Sequence, residues 1–338
     1  MFNCLNLIYK IRLKRLIMSG NPSIKTASSI EIEKAIKKEK INTCIVSAGD
    51  KIIFEYFKNA KAKNKLFNIH SVTKSIVSLL TGIAIDNNLI ENVNVPISQF
   101  FSELTDDKKL ITIENLLTMS PGLDWREFGE WGGRPFPMFN SKDWTQFILE
   151  REMVESPGVT MNYNSGCSHL LSHILQRVTD TKLSTFAKTY LFDPLEIRDF
   201  IWHSNSKGII IGSSGLSIRA LDMLKIGKLM LANGNWKGKE IISRNWISES
   251  TRPRLHTYNN IGSYGYHWWV LTDKHNNPVK PDTYFAMGYE GQYIIIVPEL
   301  KVVTVFTSSM PKKTFLPLTI FRHTIFEPLT SKKICTNS

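Results

Sequence analysis

The sequence predicts an α+β fold: one antiparallel β-sheet built from both chain ends, flanked by helices, with a mostly helical lobe inserted between its strands. Short runs of β-branched and aromatic residues lie between residues 41 and 57 and again between residues 264 and 308. The region between them carries apolar residues mainly at helical spacing. Strands at both ends are most simply accommodated when they pair in a single sheet.

The first predicted elements are a helix and a hairpin. Charged residues dominate positions 30–40, which predicts an exposed helix. Residues 41–47 and 52–57 are rich in β-branched and aromatic side chains and flank a Gly-Asp turn, which predicts a β-hairpin. A lysine-rich loop over residues 58–65 then leads to an apolar run at 76–85, which predicts a helix buried on nearly all sides.

Helical periodicity continues through the middle of the chain and gives way to strands after residue 250. Further helices are predicted over residues 113–119, 141–153, 169–178, 218–232 and 244–250. Strands are predicted over residues 264–271, 283–287, 292–297 and 302–308. Residues 312–327 are predicted to form a closing helix.

These elements predict one domain over residues 26–330, with a basic tail at 1–25 and a second tail at 331–338. The predicted lobes are a sheet lobe over residues 26–70 and 255–330 and a helical lobe over residues 71–254. Clefts between lobes are common ligand sites. The chain first crosses from one lobe to the other at residue 71, so we expect the site there.

The net charge of +12 is concentrated at the beginning of the chain, since residues 1–65 contain fourteen Lys and Arg and five Asp and Glu. No aromatic residues interleave with these lysines in a base-stacking pattern, so we expect no nucleic-acid partner. The basic N-terminal segment is compatible with weak contact to an anionic membrane surface. No apolar run reaches the roughly 18 residues of a membrane span, and no export signal is evident, so we expect a cytoplasmic protein.

The residue pattern predicts neither a metal nor another cofactor. The four cysteines are scattered without Cys-x-x-Cys spacing, which indicates neither a zinc site nor a disulfide framework. His169 and His173 share one face of a predicted helix, but no third ligand is evident.

A serine and a lysine stand at the start of the buried helix. Ser71 is followed three positions later by Lys74. Residues i and i+3 of a helix are neighbours, so the ammonium is expected beside the hydroxyl. A serine at a helix N-terminus also lies at the positive end of the helix dipole, which favours negative charge. This is the Ser-x-x-Lys arrangement of penicillin-recognising serine hydrolases, although the same spacing also arises by chance.

Two later segments complete a pattern. Residues 157–166 read Pro-Gly-Val-Thr-Met-Asn-Tyr-Asn-Ser-Gly and place Tyr163 in a loop before a helix. Residues 287–292 read Met-Gly-Tyr-Glu-Gly-Gln and precede a strand. Taken singly, the tyrosine would indicate packing and the glycines a tight turn.

In this order and at these separations, the three segments resemble the serine β-lactamase and penicillin-binding-protein superfamily, in particular its class C-like esterase branch. Residues 111–123, 215–223 and 295–300 are similar to other segments of that branch. The resemblance implies a β-lactamase/transpeptidase-like fold. It also implies that Ser71 is the acylated nucleophile, that Lys74 and Tyr163 are its activating base pair, and that the backbone N–H groups of Ser71 and Gln292 form the oxyanion hole.

Two positions depart from the β-lactamase pattern. Ser165 stands where the second motif has asparagine, and Tyr289-Glu290-Gly291 stands where the last motif has Lys-Thr-Gly. That lysine helps β-lactam-recognising members hold the substrate carboxylate, and a tyrosine and a carboxylate remove this attraction. The sequence here is closer to the esterases and nylon-oligomer hydrolases of the branch. The expected substrate-contacting residues are Trp125, Ser165, Tyr289, Glu290 and Gly291.

The sequence therefore predicts a metal-independent serine hydrolase that forms an acyl-enzyme with a small-molecule ester or amide. Two alternatives remain open. One is β-lactamase or D-alanyl carboxypeptidase activity. The other is a catalytically silent penicillin-binding-like protein that binds a ligand as a sensor, which the changes at Ser165 and Tyr289 would permit.

Overall fold

The computed structural model describes residues 22–257 and 261–330. The tail predicted at residues 331–338, and the N-terminal segment predicted to contact membranes as far as residue 21, lie outside this range. Within the described residues, no helix combines the length and the apolar character that crossing a membrane requires.

The helices occupy mainly the centre of the chain. They are α1 (Pro22–Lys37), α2 (Ala60–Asn64), α3 (Val72–Asp86), α4 (Ile113–Leu117), α5 (Phe136–Phe139), α6 (Trp144–Leu149), α7 (Ser165–Thr179), α8 (Leu183–Ala187), α9 (Ala220–Leu231), α10 (Arg244–Ser250), α11 (Leu316–Ile320) and α12 (Glu327–Thr330). π-helical turns over Lys188–Phe192 and Phe321–Phe326 follow α8 and α11.

The strands come from both parts of the chain. They are β1 (Ile41–Ala48), β2 (Lys51–Phe57), β3 (Phe67–Asn68), β4 (Ile201–Trp202), β5 (Leu216–Ile218), β6 (Asn235–Trp236), β7 (Lys239–Glu240), β8 (Leu255–His256), β9 (Ser263–Tyr264), β10 (Trp269–Val270), β11 (Tyr284–Gly288), β12 (Gln292–Val297) and β13 (Val302–Ser308). Eight of them form one antiparallel sheet in the order β2-β1-β13-β12-β11-β10-β9-β8. The prediction of one sheet built from both chain ends is confirmed.

Each face of the sheet is covered by its own hydrophobic cluster. One face packs against α1, α11 and the turn after α11, through residues such as Ile36 and Phe321. The other face joins the core that surrounds α3, α7 and α9. Helix α9 packs directly on β1, β12 and β13. It therefore covers the sheet, although the division at residue 254 assigned it to the helical lobe.

Three predicted elements differ from the structure. The lysine-rich loop predicted over residues 58–65 contains the short helix α2, whose start is capped by the Asn59 side chain. The run at 264–271 is two short strands, because Gly265 and His267 turn the chain between β9 and β10, with His267 at a left-handed φ of 58°. A Cβ on Gly265 would lie 2.4 Å from the carbonyl oxygen of Ser250, so only glycine fits this turn. The helix predicted over 141–153 spans only Trp144–Leu149, where Asp143 caps its start.

Candidate active site

The serine and lysine lie together where the sheet region passes into α3. Ser71 occupies the position just before Val72, the first residue of α3, and is half-buried. Lys74 lies in the first turn, and its Nζ donates a hydrogen bond to Ser71 Oγ at 3.0 Å. His70 has a left-handed φ of 48°, which turns the chain sharply into the helix. The predicted contact between the Ser71 hydroxyl and the Lys74 ammonium is therefore present.

Lys74 is almost completely removed from solvent, with 1% of its surface exposed. Its Nζ also donates to the carbonyl oxygen of Ser213 at 2.8 Å. Burial lowers the pKa of Lys74 to about 8, and the nearby carboxylate of Glu127 acts in the opposite direction. The amine can therefore lose its proton near neutral pH, which an exposed lysine does not do.

Tyr163 completes the group. Its ring centroid lies 5.0 Å from Lys74 Nζ, and the side chain is 5% exposed. The ring stacks with two aromatic side chains, with centroids 4.8 Å from Phe128 and 6.0 Å from Trp269. Ser71, Lys74 and Tyr163 thus form one compact cluster although Tyr163 is far from the other two in sequence.

A buried carboxylate lies beside this cluster. Glu127 is 3% exposed and accepts hydrogen bonds from Trp125 Nε1 at 2.9 Å, from Ser165 N–H at 2.8 Å and from Ser165 Oγ at 2.7 Å. Ser165, itself 3% exposed, begins α7, and Asn164 caps that helix through the N–H groups of Gly166 and Cys167. The hydroxyl of Ser165 therefore faces Glu127, while its predicted contact with substrate stays a prediction.

The last motif forms the tight turn between β11 and β12. Glu290 and Gly291 both have left-handed backbone conformations, with φ of 64° and 86°. Gly288 lies opposite Gln292 in the hairpin. A Cβ on Gly288 would lie 3.2 Å from both the Ser71 nitrogen and the Cβ of Gln292. The backbones of Ser71 and Gln292 are therefore brought together at this point.

The same Cβ would lie 2.3 Å from the carbonyl oxygen of Ile69, which leaves no room for a side chain at Gly288. We expect Gly288→Ala to lower the free energy of unfolding by about 1–3 kcal/mol, because the hairpin must move away from the start of α3. Denaturant unfolding measures this change. Gly129→Ala is the control, since a Cβ there meets nothing closer than 3.8 Å. Equal stability of the two variants would contradict the close approach.

The mouth of the site carries groups of both charges. The Tyr289 ring lies 4.6 Å from the guanidinium carbon of Arg134 and 5.7 Å from the ring of His70. Glu290 lies 3.9 Å from His70 Nε2. Burial, and then the charges of Arg134 and Lys74, lower the pKa of His70 to about 4, so its contact with Glu290 is not an ion pair at neutral pH.

A cavity of about 330 Å³ opens next to the cluster, lined by Trp125, Arg126, Phe128, Gly129, Glu130 and Asn162. Its two charged side chains neutralise each other, because Arg126 donates to Glu130 at 2.8 Å. Trp125 forms part of the lining, which is compatible with its predicted contact with substrate. Trp268, by contrast, has no exposed surface and belongs to the core.

The family model described as Beta-lactamase matches residues 40–319, most of the chain. The chain belongs to the beta-lactamase family. This confirms the resemblance that the three motifs indicated. A 6-aminohexanoate-dimer hydrolase of Paenarthrobacter ureafaciens is 22% identical to this family member over 307 residues, which cover 83% of this chain and 76% of the relative.

Solved structures confirm the beta-lactamase fold. EstCE1, described as a hydrolase with promiscuous acyltransferase activity, matches with a TM-score of 0.72 at 15% identity and covers 88% of this chain and 98% of its own. A class C beta-lactamase from Rhodobacter sphaeroides matches with a TM-score of 0.67 at 14% identity, with coverages of 90% and 98%. At these identities the structural likeness concerns the fold alone.

Sequence reasoning missed three contributors to the site of this beta-lactamase family member. Ser213 acts through its backbone carbonyl, which any residue type would supply. Glu127 and Phe128 lie in a loop without periodicity, so no spacing pattern marked them. A carboxylate and an aromatic residue close to the predicted Trp125 were the only signal available.

Proposed function

We propose that this protein is a serine hydrolase that cleaves a small ester or amide through an acyl-enzyme on Ser71. The observation that carries the proposal is the 3.0 Å contact between Ser71 Oγ and the Nζ of a buried lysine whose pKa is lowered to about 8. A serine hydroxyl is a weak nucleophile unless an adjacent base accepts its proton. Lys74, together with Tyr163, provides that base.

In the proposed acylation step, Ser71 Oγ attacks the substrate carbonyl carbon and its proton passes to the pair of Lys74 and Tyr163. The oxygen of the tetrahedral intermediate accepts hydrogen bonds from the N–H groups of Ser71 and Gln292. Tyr163 then donates a proton to the leaving alcohol or amine, and the C–O or C–N bond breaks. A water molecule hydrolyses the acyl-enzyme by the same steps in reverse order, which regenerates Ser71.

Three features favour an ordinary ester or amide over a β-lactam as substrate. Tyr289 and Glu290 stand where a lysine would attract the β-lactam carboxylate, and a carboxylate there repels it. The cavity beside Tyr163 offers room for an apolar or neutral substrate group. The relatives include proteins named as a 6-aminohexanoate-dimer hydrolase and as a hydrolase with acyltransferase activity. The proposed substrate contacts are Trp125, Ser165, Tyr289, Glu290 and Gly291.

Labelling with a fluorophosphonate tests the nucleophile. We expect a stoichiometric adduct on Ser71, identified by intact-mass and peptide mass spectrometry. The labelling rate is expected to rise with pH, and the midpoint of this rise is expected near pH 8. The reason is that the pair of Lys74 and Tyr163 must lose one proton before it can accept the proton of Ser71.

Lys74→Ala is the matched variant, and we expect it to abolish labelling while the protein stays folded by circular dichroism. Absence of an adduct on well-folded wild-type protein would refute the proposal. It would support a silent protein that binds its ligand reversibly. Faster acylation by a penicillin than by simple esters would instead support β-lactamase activity.

A further inference from the structure

Glu127 is a buried carboxylate that makes no direct ion pair with the described residues. Carboxylates are rarely buried unless they are paired, because the loss of hydration is costly. Among the described residues, no Lys, Arg or His nitrogen lies within 4.0 Å of Glu127. Its two oxygens instead accept from three donors, one of which is an indole N–H and two of which belong to Ser165. Three donors directed at two oxygens are the arrangement that suits an ionised carboxylate.

These hydrogen bonds join two separate segments of the chain. Trp125 and Glu127 belong to the loop that follows α4, whereas Ser165 begins α7. A further bond, from Asn162 Nδ2 to the carbonyl oxygen of Trp125 at 2.7 Å, joins the same two segments. Glu127 therefore fixes the loop to the start of the helix.

Tyr163 lies between these attachment points. It is two residues before Ser165 and one residue after Asn162. Phe128, the neighbour of Glu127, stacks on the Tyr163 ring with the planes 23° apart, although 53% of the surface of Phe128 is exposed. An exposed ring on a loop stays stacked on a buried one only when other contacts restrain the loop. Glu127 thus constrains both Tyr163 and the ring that covers it.

We propose that Glu127 is a positioning residue of the site. Its buried carboxylate fastens the loop at Trp125 to the Ser165 turn, which holds Tyr163 against Lys74, and its negative charge balances the buried ammonium of Lys74. This inference rests on the proposed function of Ser71, Lys74 and Tyr163. It assigns to Ser165 the role of donating hydrogen bonds to the Glu127 carboxylate.

The other titratable neighbours of Lys74 cannot supply this charge. Burial raises the pKa of the Cys167 thiol on α7, so the thiol stays neutral. Burial lowers the pKa of His267, in the turn between β9 and β10, to about 3 and that of His70 to about 4. Tyr163 is the partner that exchanges protons with Lys74. Among these neighbours, Glu127 is thus the group whose charge most strongly opposes the effect of burial on the pKa of Lys74.

Three variants separate the charge from the contacts. Glu127→Gln keeps the shape and can retain the hydrogen bonds, since its amide oxygen accepts from Trp125 and Ser165 N–H while its NH₂ donates to the Ser165 hydroxyl. Glu127→Ala removes both the charge and the contacts. Ser165→Ala removes one hydrogen bond and leaves the charge. Glu114→Gln is the control, because Glu114 also accepts from an aromatic donor, Tyr266 OH at 2.6 Å, but does not shift the pKa of Lys74.

The experiment measures the second-order rate of fluorophosphonate labelling at Ser71 as a function of pH. For Glu127→Gln we expect the rising limb to move to lower pH, because losing a negative charge lowers the pKa of Lys74, with a plateau within about tenfold of wild type. For Glu127→Ala we expect the same direction and a plateau lower by about 10²-fold, since Tyr163 is no longer held. Ser165→Ala should leave the midpoint of the rising limb unchanged and lower the plateau rate by less than Glu127→Ala does.

A direct titration keeps the inference testable apart from reactivity. Carbon-13 NMR of protein labelled at lysine Cε gives the pKa of Lys74, with its resonance assigned by its loss in Lys74→Ala. A Lys74 pKa that is the same in wild type and Glu127→Gln would overturn the balancing charge. A full labelling plateau in folded Glu127→Ala would overturn the positioning role. If the fluorophosphonate does not modify Ser71 in the wild-type protein, the proposed function is refuted instead. The NMR titration would still decide whether the charge of Glu127 acts on Lys74.

Discussion

Replacing Ser71 by alanine is expected to abolish ester hydrolysis while leaving the fold intact. The variant loses only the half-buried hydroxyl that receives the hydrogen bond of Lys74, so the core around α3 is unchanged. In enzymes of this type, loss of the nucleophile removes most of the rate enhancement, so we expect kcat to fall by about 10⁴-fold or more. Hydrolysis of p-nitrophenyl esters of increasing acyl length, followed by release of nitrophenol, measures the change.

Ser78→Ala is the matched control for this experiment. Ser78 lies two turns later in α3, is buried, and its Oγ has no hydrogen-bond partner within residues 22–257 and 261–330. Its removal is therefore expected to leave both activity and stability nearly unchanged. If Ser71→Ala hydrolysed esters as fast as Ser78→Ala, the assignment of the nucleophile would be wrong.

Replacing Tyr163 by phenylalanine is expected to give the second largest loss. The ring keeps its stacking contacts with Phe128 and Trp269, so removal of the hydroxyl changes the chemistry more than the packing. A positioned general acid and base contributes about 10²–10⁴-fold to the rate. We expect kcat to fall by that factor, with a larger loss for amides than for nitrophenyl esters, because an amine leaving group needs a proton and nitrophenolate does not.

Tyr266→Phe distinguishes this chemical effect from a general effect on stability. Tyr266 donates to Glu114 at 2.6 Å and lies under the guanidinium of Arg254, 4.0 Å from the ring centroid. Removal of the Tyr266 hydroxyl should lower the thermal unfolding midpoint and preserve the ratio of amide to ester turnover. A Tyr163→Phe enzyme with an unaltered ratio would show that the hydroxyl does not protonate the leaving group.

The elements that were predicted well are those whose signal is local and strong. Strands Gln292–Val297 and Val302–Ser308 match their predicted bounds, because continuous β-branched runs bounded by a turn have few other solutions. The run at 264–271 has an equally strong composition, yet it forms two strands. Its break depends on the close approach of Gly265 to the backbone of Ser250, a contact between segments that composition does not encode.

The helix that carries the site shows the same division. The spacing of Ser71 and Lys74 was sufficient to predict their contact, because one helical turn brings positions i and i+3 together wherever the helix lies. The low exposure of Lys74 was not predictable in the same way. It results from the packing of α3 against α7 and the sheet, and this burial lowers the lysine pKa to about 8.

The sequence by itself therefore determined the family, the sheet built from both chain ends, and the pairing of Ser71 with Lys74, because each of these follows from local patterns and their order. The resemblance had also implied Tyr163 as a partner of this pair, and the structure brings its ring to 5.0 Å from Lys74 Nζ. The tertiary structure alone decided the further neighbours, because the carbonyl of Ser213 and the carboxylate of Glu127 act on Lys74 from separate segments of the chain. Their meeting depends on how whole helices and loops pack, since burial and long-range contact are properties of the folded chain rather than of any one stretch of residues.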